Sequence, residues 1–518
     1  MLLAKNKSNE IKLIPSMLNR HGLIAGSSGS GKTVTLKKLA ELFSDAGIPV
    51  LVGDIKGDLT GFLTPIELTS GLKKRCENIG TAYPDPRSYP VRLWDVYNKK
   101  GKQISTTIVD FGSTLLANVL QLNATQSGVL TIVFRVARDQ DLALNTIDDL
   151  RQVLIYCLEH RDNIGLYYGN ITRSSISTIQ RGLLTLEDQG GNYLFKDQDP
   201  FNFKTLIRKD KLNQGVINLL DCVELIKSPQ LYGCFLIYLL SQFYDNLPEA
   251  GDLVKPEFIF FFDEAHLIFS NASKLLLSEL ENIMRLIRSK GVGVYFCSQS
   301  PNDLPDIILG QLGHRIQHSM RAYTAAAQRD LKVAANTMRE NPYINAEKEI
   351  PLLNIGEALI SVLDSSGSPT ITEKAYILPP NSKMGLADPN DYHYSLDRAL
   401  SHKLVSIHND KNNNLDASQK TYEQENNNIA DTGIDRLENI GSDSYEAFSG
   451  DSRGFTSKPI GKYRGAALNA LGGLTGGLKR IIGVVARILF ILMIIAMCIN
   501  LFPPLLFLIP VLWGKIFE

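Results

Sequence analysis

Short apolar runs recur along this chain, separated by segments of helical period. The runs are Leu23-Ile24-Ala25, Ile48 to Asp54, Gly215 to Leu220, Glu257 to Phe262, Gly291 to Cys297 and Arg315 to Met320. Consecutive apolar positions, without polar alternation, mark strands buried on both faces, the habit of parallel sheets. Between them, Leu36, Leu39, Ala40 and Phe43 fall at helical intervals, and Pro229 to Tyr244 and Ser273 to Arg288 are further helical segments. The alternation predicts an α/β fold, a mostly parallel sheet covered by helices on both faces. A last run, Ala358 to Leu363, is expected to close the sheet edge. From Ala124 to Gly190 the pattern is helical throughout. Ile147, Leu150, Val153, Leu154, Cys157 and Leu158 share one face, with Thr146 and Asp149 spaced as a capping box. The expected organisation is a first half-core over 1–123, a helical insertion over 124–212 and a second half-core over 213–389.

Beyond Pro389 the large apolar residues thin out and Asn, Asp, Ser, Gln and Lys take over, so 390–462 is expected to be a flexible linker. Residues 463–518 form a basic, then apolar tail, with Lys479, Arg480 and Arg487 ahead of an apolar run over 488–513. At about 1.5 Å per residue such a run spans a hydrocarbon core of roughly 30 Å. The flanking positive charges put its N-terminal side in the cytoplasm. Pro503-Pro504 leaves two forms open, a kinked single span and a hairpin.

Composition narrows the setting. Among 518 residues, 54 Lys and Arg balance 54 Asp and Glu, so no global basic excess advertises nucleic acid. The six cysteines include no C-x-x-C pair, which fits free thiols in a reducing compartment. Met1 to Leu13 is interrupted by charge and lacks the apolar core of a secretory signal. The expected location is a cytoplasmic core anchored to the cytoplasmic side of the inner membrane.

The chemistry begins at Gly26-Ser27-Ser28-Gly29-Ser30-Gly31-Lys32-Thr33, which follows a strand and opens a helix. Glycines there let successive N–H groups curl around phosphates, Lys32 adds positive charge, and the Thr33 hydroxyl is a ligand for Mg²⁺. A second run, Phe258 to Phe262, ends in Asp263-Glu264-Ala265-His266. This is a Walker B pattern, with Asp263 placed for Mg²⁺ and Glu264 for polarising an attacking water. The next strand ends in Ser298-Gln299-Ser300, making Gln299 the candidate γ-phosphate sensor. Arg315 and Arg321 are candidates for meeting transition-state charge from a neighbouring subunit. His266 is a candidate coupling residue. Asp54, in the turn Asp54-Ile55-Lys56-Gly57-Asp58, is a candidate for assisting Mg²⁺ or water, and equally for stabilising the turn. The expected cofactors are ATP and Mg²⁺.

As an ordered set these motifs resemble the HerA and FtsK class of ring-forming P-loop motors, and within it the bacterial HerA-like helicase family. The resemblance runs from His21-Gly22-Leu23 through Asp54 to Asp58, Tyr168-Gly169-Asn170, Gln180-Arg181-Gly182, Asp263 to His266, Ser298 to Pro301 and Leu309 to Gly313, ending at Arg321-Ala322-Tyr323. It implies a RecA-like core over about 20–385, hexamers with ATP between subunits, and movement of a polymer through a pore, typically duplex DNA. Two departures are expected: no N-terminal barrel of the kind archaeal HerA uses to hold its nuclease, which leaves the protein partner unidentified, and an added apolar tail. The alternative function is a membrane-associated ATPase that powers protein secretion or remodels an envelope complex.

Overall fold

The computed structural model describes residues 1–197, 201–251, 253–269 and 272–395. The tail with its expected span at 488–513, and all but the first residues of the expected linker, lie outside the described residues. Among the described residues no helix is long and apolar enough to cross a membrane.

Among the described residues twelve strands form one sheet: β1 Leu2–Lys5, β2 Glu10–Lys12, β3 Gly22–Ala25, β4 Val50–Asp54, β5 Val91–Asp95, β6 Lys102–Gln103, β7 Ile217–Asp221, β8 Phe258–Phe262, β9 Val292–Ser298, β10 His314–Gln317, β11 Glu357–Ser361 and β12 Glu373–Ile377. Their order is β2-β1-β12-β11-β10-β3-β9-β8-β4-β7-β5-β6. From β10 to β6 every pairing is parallel; β11, β12, β1 and β2 add an antiparallel wing.

The period of two along each strand divides the interior into two layers. Phe258, Phe260 and Phe262 join Leu23, Val294, Phe296 and the helices in one core. Ile259, Phe261, Ile24 and Tyr295 face the other way, onto Leu36, Leu39 and Phe43 of the helix Lys32–Asp45. The Phe243 ring lies 4.5 Å from Phe258 and 4.9 Å from Phe260, centroid to centroid, so helix Pro229–Asn246 is fastened to the sheet by aromatic contacts. The helical segment is capped as expected: Thr146 accepts from the Asp149 amide while the Asp149 carboxylate accepts from the Thr146 amide. Its buried residues belong to the same continuous core as the sheet.

The expectation for the sheet edge needs correction. β11 lies inside the sheet, between β10 and β12, and the edge is closed by β12, β1 and β2. Burial explains both halves of this. Ala358 and Ile360 face one core and Leu359 another, so β11 is apolar on both sides. The outer strands carry charges, Glu10 and Lys12 on β2 and Glu373 and Lys374 on β12, and do not read as buried runs. The run from Arg315 also ends sooner than expected, because the chain leaves the sheet after Gln317 to pass beside the phosphate loop.

Candidate nucleotide-hydrolysing site

The phosphate loop joins β3 to helix Lys32–Asp45 and is held from three directions. The Gly26 amide donates to the Ser298 carbonyl of β9 at 3.2 Å, and the Ser27 amide and hydroxyl both donate to the Ser319 carbonyl, at 2.9 and 3.0 Å. The Gly356 amide donates to the Ser30 carbonyl at 3.0 Å. Gly26, Gly29 and Gly31 have φ of 150°, 76° and 118°, backbone that L side chains rarely adopt. At Gly31 a Cβ would also stand 3.1 Å from the Gly356 backbone. The Lys32 ammonium donates to the Gly26 carbonyl at 2.5 Å and the Ser27 carbonyl at 3.2 Å. Burial lowers its pKa, opposed by the nearby Glu264, Cys297 and Asp263. Thr33 stands one residue into the helix, where free amides and the helix dipole favour an anion.

β9 separates the phosphate-loop strand β3 from the carboxylate strand β8. Register makes the consequence definite: Ala25 pairs with Ser298, and Phe262 with Phe296. The residues just past these three strand ends, Gly26, Gln299 and Asp263, therefore share the carboxyl edge of the sheet, where open α/β sheets bind ligands. Gln299 is exposed there, while Ser298 is fully buried and its hydroxyl donates to Asp303.

Glu264 has φ of 46°, a left-handed conformation that costs a non-glycine residue about 1 kcal/mol. The kink turns its amide onto the Asp263 carboxylate at 2.9 Å, and the Glu264 carboxylate retains a buried oxygen with no hydrogen-bond partner. That oxygen is 3.5 Å from His266 Nδ1. Burial, then the Glu264 charge, push Asp263 up to about 6, opposed by the Glu264 amide, Lys56 and Lys32. Two acids in a desolvated corner, one with an unsatisfied oxygen, fit a hydrated divalent cation. Thr33 and Asp263 are the residues that would hold it.

Asp54 behaves otherwise. One carboxylate oxygen accepts from the Gly57 and Asp58 amides at 2.7 and 3.1 Å, the other from Leu59 at 3.0 Å. Of the two roles open to it, these hydrogen bonds are those of the turn. Lys56, in the same turn, lies near Asp263 and Lys32 and adds positive charge to the site.

The two arginines part company. Arg315 on β10 pairs in register with Leu23, upstream of the phosphate loop, and its guanidinium donates to the Leu309 and Leu312 carbonyls at 2.6 and 3.2 Å. It does not reach its own nucleotide site. Arg321 is exposed, two residues past the Ser319 carbonyl that holds Ser27.

Sequence reasoning passed over His318. Its Nδ1 is 2.9 Å from the Glu357 carbonyl and its Nε2 2.8 Å from the Thr35 hydroxyl. Burial drops its pKa to about 4, so the ring is neutral. The carbonyl only accepts, so Nδ1 carries the proton and Nε2 accepts from Thr35. His318 thereby ties the phosphate-loop helix to β10 and β11. A histidine in a strand-end motif gave no local signal of this, since its partners lie 283 and 39 residues away.

The arrangement joins a glycine-rich phosphate loop, two acids and a polar amide at one sheet edge, residue types suited to an ATP-hydrolysing enzyme. The chain is similar to the bacterial conjugative coupling protein TrwBΔN70 in an unbound monoclinic form (12% identity, 74% of this chain and 92% of that chain, TM-score 0.48). It is similar to the plasmid coupling protein TrwB in complex with ADP and Mg²⁺ (12% identity, 74% and 95%, TM-score 0.49), and to VirB4 of Thermoanaerobacter pseudethanolicus (16% identity, 76% and 97%, TM-score 0.45). No curated protein matches it. The model of the family described as "Helicase HerA-like C-terminal" matches residues 1–440, and the chain belongs to that family.

Proposed function

We propose that this protein is an ATP-driven motor that assembles as a hexamer and translocates DNA while tethered to the cytoplasmic side of the inner membrane by its apolar tail over 488–513. The observation that carries the reading is the convergence of Lys32, Asp263, Glu264 and Gln299 at the ends of three neighbouring strands. ATP lies with its phosphates in the loop 26–33, held by backbone amides and Lys32. Thr33 and Asp263 would hold Mg²⁺, which would neutralise charge on the β- and γ-phosphates. Glu264, whose buried oxygen accepts no hydrogen bond and lies 3.5 Å from His266 Nδ1, orients the water and takes its proton. Gln299, between the loop and Glu264, contacts the γ-phosphate and distinguishes ATP from ADP. Arg321, which is exposed, and Arg315 are the candidates for meeting the developing charge at a neighbouring subunit's site.

Kinship and the RecA-like arrangement support a hexamer and favour DNA as the polymer; the balanced net charge does not select it. The deciding experiment measures ATP turnover by the full-length protein with and without duplex DNA, from 50 to 300 mM salt. Stimulation that weakens steeply with salt is expected, because phosphate contacts release counterions. Turnover indifferent to DNA but raised by lipid or a co-purified protein would replace the translocase reading with the secretion or envelope one. Recovery of a 1–460 truncation in the membrane fraction would refute the tail anchor.

A further inference from the structure

A cavity of about 880 Å³ lies at the opposite, amino edge of the parallel strands, and arginines dominate its charge. Arg20 precedes β3, Arg285 and Arg288 end the helix and turn before β9, Arg315 is on β10 and Arg339 follows helix Ala325–Asn336. Among the described lining residues the acid is Asp306, beside four arginines and Arg288, which has a partner of its own. Among the described residues, Arg20, Arg285, Arg315 and Arg339 make no ion pair within 4.0 Å.

Two of these groups are fixed in place by backbone carbonyls. Arg315 donates to the Leu309 and Leu312 carbonyls through two nitrogens, and its third is buried without a hydrogen-bond partner. Arg339 donates to the Pro369 carbonyl. Carbonyls set the plane of a guanidinium without neutralising it. A buried charged donor without a partner is unfavourable, so such an arrangement is stable beside an anion. The volume falls in the range of about 300–1,000 Å³ typical of small-ligand sites. Planar, preset guanidinium forks match phosphate oxygens in pairs.

We propose that this arginine-lined cavity binds a small polyphosphate anion, at a site separate from the phosphate loop. The concavity admits a compact anion with several phosphate groups, which can meet guanidinium groups from separate elements at once. Binding there joins helix Lys274–Leu286, which follows the catalytic acids, to β10, which carries His318 and Arg321 beyond its end. The anion therefore bridges two elements that each lead to the nucleotide site.

The test titrates inorganic tripolyphosphate into the full-length K32A protein by calorimetry in 50 mM salt, so that the phosphate loop contributes least. One site per chain is expected, weakened about tenfold in K32A/R285Q and in K32A/R339Q and weakening further as salt rises. Arg285 and Arg339 are exposed, so these variants keep the test valid if R315Q fails to fold. Absence of binding, equal binding by all variants, or binding confined to protein with an intact phosphate loop would overturn the proposal. So would a duplex DNA fragment that binds through Arg285 and Arg339 while tripolyphosphate does not.

Discussion

Replacing Glu264 by Gln separates a water-activating acid from an incidental strand-end carboxylate. Three features make the outcome calculable: φ of 46°, a buried oxygen without a partner, and an Asp263 raised from 3.8 to about 6. A rise of that size corresponds to about 3 kcal/mol spent in keeping Asp263 ionised at neutral pH. The folded protein binds this proton more tightly than the unfolded chain. Stability therefore falls as pH rises from about 3.8 through about 6, and the loss is complete above it. Burial is the larger cause and Glu264 the second, so E264Q recovers a minor part, on the order of 1 kcal/mol, and makes the decline with pH shallower. Gln keeps the side-chain length and the left-handed backbone, so structural damage is not expected. Turnover should fall by about 10²–10⁴, the usual worth of a positioned general base. Denaturant unfolding at a series of pH values reads the first effect, and phosphate release under saturating Mg²⁺ and ATP reads the second. Equal turnover in the two proteins, or a less stable E264Q protein above pH 6.5, would refute the assignment.

G31A should destabilise the protein by about 1–3 kcal/mol, since φ is unfavourable and the new methyl meets the Gly356 backbone, whereas G29A, with open space around it, should cost only about 1 kcal/mol; chemical denaturation compares them. K32A should abolish the rise in melting temperature that MgATP gives the unaltered protein, with the ligand-free melting point moving little. His318, held near 4, is uncharged from pH 6 to 8, so the pH–rate profile should show no inflection from it there; H318A should lower stability by about 1–3 kcal/mol by stranding the Thr35 hydroxyl, detectable as a shift in denaturant midpoint at constant slope. D54N should loosen the 54–59 turn while leaving metal dependence of turnover unchanged, because its oxygens serve the turn amides.

The candidate site residues lie in short stretches whose meaning is local, and so the motifs are legible in the sequence. A Gly-rich loop between strand and helix needs only its own backbone to cradle phosphate, and Phe258 to Phe262 declares a buried strand ending in acids by composition alone. The capping box at Thr146 and Asp149 is likewise complete within four residues. What escaped was non-local. The strands β1, β2 and β12 are short and β2 and β12 carry charge, so none reads as a long apolar run, and only pairing with distant strands places them in the sheet. His318 and Gly356 matter through contacts with the phosphate loop made hundreds of residues away along the chain.

The amino-acid sequence by itself therefore determined the reaction chemistry, the order of the parallel elements along the chain and the family. The tertiary structure decided which candidates meet. Strand order inserted β9 between the loop and the acids and brought Gln299 to the same edge. It gave Asp54 to its turn, turned Arg315 away from the nucleotide toward an arginine-lined cavity, and left Arg321 exposed. The physical reason is the same in each case. A backbone amide or a carbonyl claims a side chain only when folding brings it within about 3 Å, and spacing along the chain does not encode that distance.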